Sequence, residues 1–210
     1  MSYVTVEVPR TLSDLIPRPA ARTRQLARDA ALVLGFALLT AALAQVRINL
    51  SFTPVPITGQ TFAVLLSGAV LGANRGGLAQ LAYWALGIVA PVPWYAGDHS
   101  GTSIKAGWHL ATGSTAGYLA GFVIAAFVVG LLAQQGQDRR FSSSVPAMLT
   151  GTAIIYACGL VWLAHSLHIP IATGHPNAVE YGLTPFLAGD ALKLLLAGAL
   201  TPVAWRFFDR

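Results

Sequence analysis

Asp190 and Lys193 are the residues whose types and spacing point most directly to chemistry. They stand three apart in an apolar stretch that opens at Thr184-Pro185 and runs to about Phe208. At i and i+3 they share one face of a helix, and counted from Pro185 they lie roughly 8 and 12 Å inside it. Each charge costs about 2.5–3.5 kcal/mol at mid-bilayer on insertion scales, and ionisable residues at that depth mark ligand or ion pathways by default. The alternative is a locally paired couple, with Lys193 snorkelling to the outer interface.

Other side chains offer less. Tyr83, Trp84, Trp94, Tyr95, Trp108, Tyr118 and Trp162 either wall a pocket for a flat ligand or belong to an interfacial aromatic belt. The histidines at 99, 109, 165, 168 and 175 lack the converging partners and spacing of a metal site, so no metal is expected. The single cysteine, Cys158, excludes an intrachain disulfide framework. Neither Lys105 nor Lys193 is preceded by Gly or followed by Ser or Thr, which excludes a Walker A phosphate loop. Ser114, in Gly113-Ser114-Thr115-Ala116-Gly117, is a serine in a glycine-flanked motif of the kind an intramembrane hydrolase needs. At a helix start, capping is the commoner task. The chain reads as no enzyme.

The elements that must position these residues are set by composition. Of 210 residues, 55% are hydrophobic and 10% charged, and mean hydropathy is +0.62. A soluble domain carries about 25% charged residues, so composition argues against disorder and against a water-soluble globule. Spans of about 20 apolar residues fit Gln25–Val46, Gly113–Leu132, Pro146–Leu167 and Pro185–Phe208. Two shorter segments, Gln60–Ala73 and Gly76–Ala90, are parted by Asn74-Arg75. At about 21–23 Å each they fall short of a hydrocarbon core of about 30 Å. They sit off-centre, pair as a hairpin, or borrow the irregular Pro-rich stretch 49–59 to complete the crossing. Such backbone survives at membrane depth only when packed on protein or lining a cavity. Loops are expected at 91–112 and 168–183.

Net charge is +5 and pI near 9.8, and the placement of the bases explains both. Arg10, Arg18, Arg22, Arg24, Arg28, Arg75, Arg139, Arg140, Arg206 and Arg210 fall on one side of six alternating spans; Arg47 and Lys105 fall on the other. The positive-inside rule then gives an all-α integral membrane protein with six transmembrane helices and both termini cytoplasmic. Residues 1–24 form a cytoplasmic tail and 25–210 one membrane domain. The lipid bilayer is the expected surroundings, and no nucleic acid is needed to account for the basic pI.

Pro54-Val55-Pro56-Ile57-Thr58-Gly59-Gln60-Thr61 and Leu65-Leu66-Ser67-Gly68-Ala69-Val70-Leu71-Gly72 resemble the opening of the biotin-specific S components of energy-coupling factor (ECF) transporters, the BioY family. The likeness continues through Tyr83-Trp84-Ala85-Leu86-Gly87, Gly117-Tyr118-Leu119-Ala120-Gly121-Phe122 and Pro185-Phe186-Leu187-Ala188-Gly189-Asp190-Ala191-Leu192-Lys193. It spans about residues 28–205.

The resemblance implies a multi-pass protein of the cell membrane that captures biotin from the outer side. Delivery inward is driven by a separate transmembrane coupling protein and two ATPases, so ATP acts only on partner subunits and no cofactor is bound covalently. The ligand site implied comprises Asp190, Lys193, Thr58, Gly59, Gln60, Tyr83 and Tyr118. Asp190 accepts from the ureido N–H groups, and Lys193 donates to the ureido oxygen or stays paired with Asp190. Thr58, Gly59 and Gln60 supply a lid from the first loop, while Tyr83 and Tyr118 suit the apolar ring. The chain departs from the family's Gly-Pro-Thr-Gly-Gly-Tyr at Gly113–Tyr118, so the valerate-binding groups do not carry over; Lys105 is a candidate on charge alone. Small residues Ala27/Ala31 and Ala37/Ala41 form four-spaced pairs on helix one, open to docking on the coupling protein or to internal packing. A rival reading is an autonomous proton-coupled secondary transporter of a small carboxylate ligand, with Asp190 as proton relay.

Overall fold

The computed structural model describes residues 10–17, 19–89, 94–96 and 104–208, with the side chains of 104–106 excepted. Arg18, Arg210, Asp98, His99 and the Lys105 side chain therefore lie outside the described residues. Helix α1 spans Arg22–Gln45, α2 Gln60–Leu71, α3 Ala73–Val89, α4 Ile104–Thr112, α5 Ala116–Gln134, α6 Phe141–Leu167, α7 Ala178–Gly182 and α8 Leu187–Phe208. Four stretches are long and apolar enough to cross a membrane: α1, α5, α6, and the run from α7 through α8.

Central helix α5 is the most buried of the long helices and α1 the least. Its inner faces carry small residues, Gly117, Gly121, Ala125, Ala126 and Gly130, which let α6, α2 and α3 close in on it. The break between the two short helices falls at Gly72 rather than at Asn74-Arg75. Gly72 adopts φ +81°, which favours glycine, and the chain turns back there so that α3 begins at once. A Cβ on Gly76 would stand 2.9 Å from the Gly68 Cα. Helices α2 and α3 thus fold as a hairpin, with Asn74 and Arg75 in the first turn of α3.

Three other boundaries differ from the sequence reading. Helix α6 starts at Phe141, five residues before Pro146. Proline so near a helix start removes only one intrahelical bond, and the carbonyl it forfeits sits close to the end of the helix. The second half of the 91–112 loop is helix α4. The Thr184 hydroxyl donates to the Val179 carbonyl at 3.2 Å, a 3₁₀ turn covers Thr184–Phe186, and α8 starts at Leu187 rather than Pro185. Counted from Leu187, Asp190 and Lys193 lie only about 5 and 9 Å into the helix.

On α1 the two small-residue pairs separate. Ala37 and Ala41 are buried, and Ala27 and Ala31 are exposed. Thr40, beside the buried pair, meets Gln80 of α3, whose amide donates to Thr40 Oγ1 at 3.2 Å and to Ser67 Oγ of α2 at 2.9 Å. All three side chains are fully buried, so the network ties three helices through groups that have no water to turn to.

At the end of the bundle opposite the start of α8, the segment before α1 folds onto the body. Thr11 and Ser13 are buried. Arg75 bridges Asp14 at 3.0 Å and Asp29 at 3.4 Å, and Arg28 donates to the Ser13 and Ile16 carbonyls.

Candidate functional site

At the other end, the first turns of α2, α5 and α8 meet the last turns of α3 and the middle of α6 around one cavity. Its floor of charge is the Asp190 carboxylate, 7% exposed. Lys193 Nζ donates to Oδ1 at 2.6 Å, Thr61 Oγ1 donates to Oδ1 at 3.1 Å, and the Tyr156 hydroxyl donates to Oδ2 at 2.6 Å. A carboxylate accepts about four hydrogen bonds, so three are made and one position stays open to a ligand N–H. Bonds with one ionised partner are roughly twice as strong as neutral ones, and shielding from water strengthens them.

Across the cavity, Gln60 Nε2 donates to the Tyr83 hydroxyl at 2.7 Å, while Gln60 Oε1 accepts from Thr58 at 2.9 Å. The Tyr83 ring stacks on Trp94 and meets Tyr95 edge-on, at centroid distances of 6.1 and 5.7 Å. Trp94 is anchored in turn by its indole N–H on the Tyr83 carbonyl at 2.8 Å, and the Tyr95 hydroxyl donates to the Trp84 carbonyl. Burial pushes the Tyr95 phenol well above its ordinary range, so it stays a neutral donor.

Tyr118 closes a third side. Its hydroxyl donates to the Gly182 carbonyl at 2.8 Å, and two glycines make its seat. A Cβ at Gly159 would stand 2.3 Å from the ring, and one at Gly182 would stand 2.2 Å from the hydroxyl. Apolar walls come from Leu119, Phe122, Ile155 and Phe186. The whole is an aromatic slot with a hydrogen-bonded carboxylate at one end, shaped for a compact ligand with N–H donors and an apolar body.

The first loop forms the cover. Arg47–Ile48 pairs antiparallel with Ile57–Thr58, closing the Pro-rich stretch into a small hairpin, and Val55 and Pro56 line the cavity. The Thr53 hydroxyl donates to the Tyr181 carbonyl of α7 at 2.6 Å, which ties the loop across the opening.

Of the seven candidate residues, Thr58, Gln60, Tyr83, Tyr118, Asp190 and Lys193 line this cavity. Gly59 faces α1 instead. Its N–H donates to the Leu43 and Val46 carbonyls, each at 3.1 Å, and an added Cβ would stand 3.0 Å from the Leu43 carbonyl oxygen. Thr61 and Tyr156 escaped the sequence reading. Thr61 directly follows Gln60 in the quoted block, and Tyr156 is a hydroxyl-bearing residue in an apolar helix, a signal that reads equally as belt or core. Trp162 and Trp84 lie outside the lining, their N–H groups on the Gly113 and Ala111 carbonyls. His165 and His168 stack on each other, and His175 pairs with Glu180 at 2.8 Å. Among the described residues no three metal-binding side chains converge.

The model of the BioY family matches residues 13–210. The biotin transporter BioY of Rhizobium etli is 34% identical over 181 residues, covering 82% of this chain and 90% of that one. That of Thermotoga maritima is 35% identical, covering 73% and 82%. A probable biotin transporter BioY of Pyrococcus horikoshii is 36% identical, covering 81% and 92%. Among solved structures, the S-component for biotin from an ECF-type ABC transporter, a 2.1 Å crystal structure, shares the fold. Its TM-score is 0.70 over 91% of this chain and 96% of that one, at 20% identity.

Proposed function

We propose, from the premise that this chain belongs to the BioY family, that its aromatic slot is a biotin site and that the chain takes up biotin as the S component of an ECF transporter. The observation that carries the site is the Asp190 carboxylate, held by three donors inside an aromatic cavity. Biotin's ureido ring presents two N–H donors and one carbonyl oxygen. Asp190 accepts from one of the N–H groups at its open position, with Tyr156 and Thr61 steadying the carboxylate, and Lys193 donates to the ureido oxygen. Tyr83 and Tyr118 flank the thiophane ring. Thr58 and Gln60 join the cover over it, and Gly59 seats that cover on α1.

In this reading the chain is a multi-pass protein of the cell membrane, with one six-span domain over 25–210 behind a cytoplasmic tail, 1–24. Helix α2 has 12 residues and α3 has 17, about 18 and 26 Å of helix. The first loop completes the α2 crossing. It does so at membrane depth because it is packed over the cavity. Biotin enters from the outer side, and a coupling protein with two ATPases supplies the energy to release it inside.

Calorimetric titration of the purified chain tests the binding step: the chain alone should bind biotin at one site, and an analogue without the ureido ring should give no heat. Absence of binding to biotin itself would overturn the reading. Uptake in cells should require the ATPase partners and survive an uncoupler, whereas the reverse pattern supports a proton-coupled carrier. Topology has its own test. Reporters at Gln137 and at the C-terminus should read cytoplasmic, and one in the exposed turn around Gly174 should read external. A cytoplasmic reading at Gly174 rules out six crossings.

A further inference from the structure

Thr53 does not line the ligand cavity, yet its hydroxyl oxygen is used twice beside it. Oγ1 accepts from the Val55 N–H at 3.2 Å and donates to the Tyr181 carbonyl at 2.6 Å. Val55 does line the cavity, and both residues are buried. One hydroxyl therefore fixes a residue over the ligand and fastens the first loop to α7.

The acceptor is one of a pair. Helix α7 ends at Gly182, and the last carbonyls of a helix have no intrahelical partner. Two of them are taken up from outside. The Tyr181 carbonyl accepts from Thr53 of the cover, and the Gly182 carbonyl accepts from the Tyr118 hydroxyl at 2.8 Å. Tyr118 itself lines the cavity. The Tyr181 carbonyl carbon is bonded to the Gly182 nitrogen through a planar peptide, so a shift at one carbonyl is carried to the other. The turn has little room to absorb that shift. Ala178 is fully buried, and the Ala178 and Val179 N–H groups donate to the Pro170 and Ile171 carbonyls, each at 3.0 Å. At the other end of α7, a Cβ on Gly182 would stand 2.8 Å from Leu163 Cδ2.

We infer that α7 couples the ligand site to its cover: the Tyr118–Gly182 and Thr53–Tyr181 bonds hold and open as one unit, and that unit sets how long the ligand stays. Thr53 and the Tyr118 hydroxyl are positioning groups in this device, acting through α7 and Val55. Bonds that share one rigid element reinforce each other, and dissociation is the step a cover controls. The identity of the ligand rests on the biotin reading above; the coupling is a property of the chain with or without ligand.

The test is a double-mutant cycle on the full chain in detergent, read in two ways. Loss of radiolabelled biotin into excess unlabelled biotin gives the release rate. Hydrogen exchange across residues 47–58 of the ligand-free protein gives the opening of the cover. Thr53→Val keeps the shape and removes the hydroxyl. It should speed release about fivefold, the size of one neutral hydrogen bond, and Thr53→Ser should restore the native rate. Tyr118→Phe should speed release by a similar factor. Combined, the two should do little more than either alone, whereas independent bonds would multiply to about twenty-five-fold. In the empty protein Tyr118→Phe should raise exchange across 47–58 as Thr53→Val does, although the bond it removes is made to Gly182 and not to that segment. Exchange within α5 is the fold control and should stay at the native level. Rates that multiply, exchange at 47–58 unmoved by Tyr118→Phe, or a Thr53→Val protein that releases biotin at the native rate would each overturn the coupling. A wild type that binds no biotin refutes the biotin reading instead, and the exchange measurement then decides the coupling alone.

Discussion

Asp190→Asn combined with Lys193→Met is expected to weaken biotin binding by at least roughly a hundredfold while the protein still inserts and folds. The double change removes both charges at once. Replacing Asp190 alone strands a partly buried Lys193, and breaking a buried pair from one side typically costs about 3–5 kcal/mol, so a single variant confounds lost fold with lost contact. In the double variant the asparagine oxygen still accepts from Tyr156, which lies 2.6 Å from the native carboxylate, and the bilayer no longer carries either ionic cost. What disappears is the charged acceptor for one ureido N–H and the cationic donor for the ureido oxygen. Hydrogen bonds to charged groups contribute about 1.5–3 kcal/mol each, so losing two weakens biotin by roughly a hundredfold to ten-thousandfold. Titration calorimetry, with size-exclusion behaviour as the fold control, reads both quantities. Tyr156→Phe is the graded companion: it removes one of three donors to the carboxylate and should cost about tenfold. Near-normal biotin affinity in the double variant would make the pair structural and remove α8 from the site.

Gly130→Ala is expected to be the most damaging single methyl added to the bundle. Its Cβ would stand 2.3 Å from the Ala73 backbone nitrogen and 2.4 Å from the Gly72 carbonyl carbon. Those neighbours are main chain at the turn between α2 and α3, so no rotamer change relieves the clash. Overpacking costs about 1–3 kcal/mol where side chains can shift, and occasionally more; here the upper end or beyond is expected. Gly35 and Gly189 supply the controls, because a Cβ at either meets nothing within 4 Å. At those two sites alanine should be neutral or stabilising by up to about 1 kcal/mol, since glycine is the poorer helix former. Thermal unfolding in detergent should order the three variants accordingly. A Gly130→Ala protein as stable as Gly35→Ala would mean that the α5 contact with the turn is not close in solution.

The amino-acid sequence by itself determined the membrane class, the long apolar helices, and the charge pair that organises the site. These are local or compositional properties. A run of apolar residues is apolar in any conformation, and Asp190 and Lys193 share a face wherever that stretch is helical. It also marked Thr58, Gln60, Tyr83 and Tyr118, through blocks that match a family in order and spacing. What it left open depends on which groups meet across the chain. Tyr156 looks like any other interfacial tyrosine until α6 brings it onto Asp190, 34 residues away, and Thr61 reaches the same carboxylate across 129 residues. Gly59 is a lid residue by its block, yet its missing side chain admits Leu43 of α1 rather than a ligand. The turn between the short helices looked like Asn74-Arg75 because polar residues interrupt an apolar run. The chain instead turns at Gly72, where a positive φ is available and where Gly130 lets α5 approach. Asp138 shows the same limit from the other direction. Arg139 and Arg140 follow it in sequence, but the fold sends its carboxylate inward to Trp205, 67 residues away, and lays the Arg139 guanidinium over the same indole. Apolar periodicity and charge are carried by single residues and survive in a one-dimensional reading. Close approach and hydrogen-bond partnership belong to pairs, and only the packed bundle chooses them.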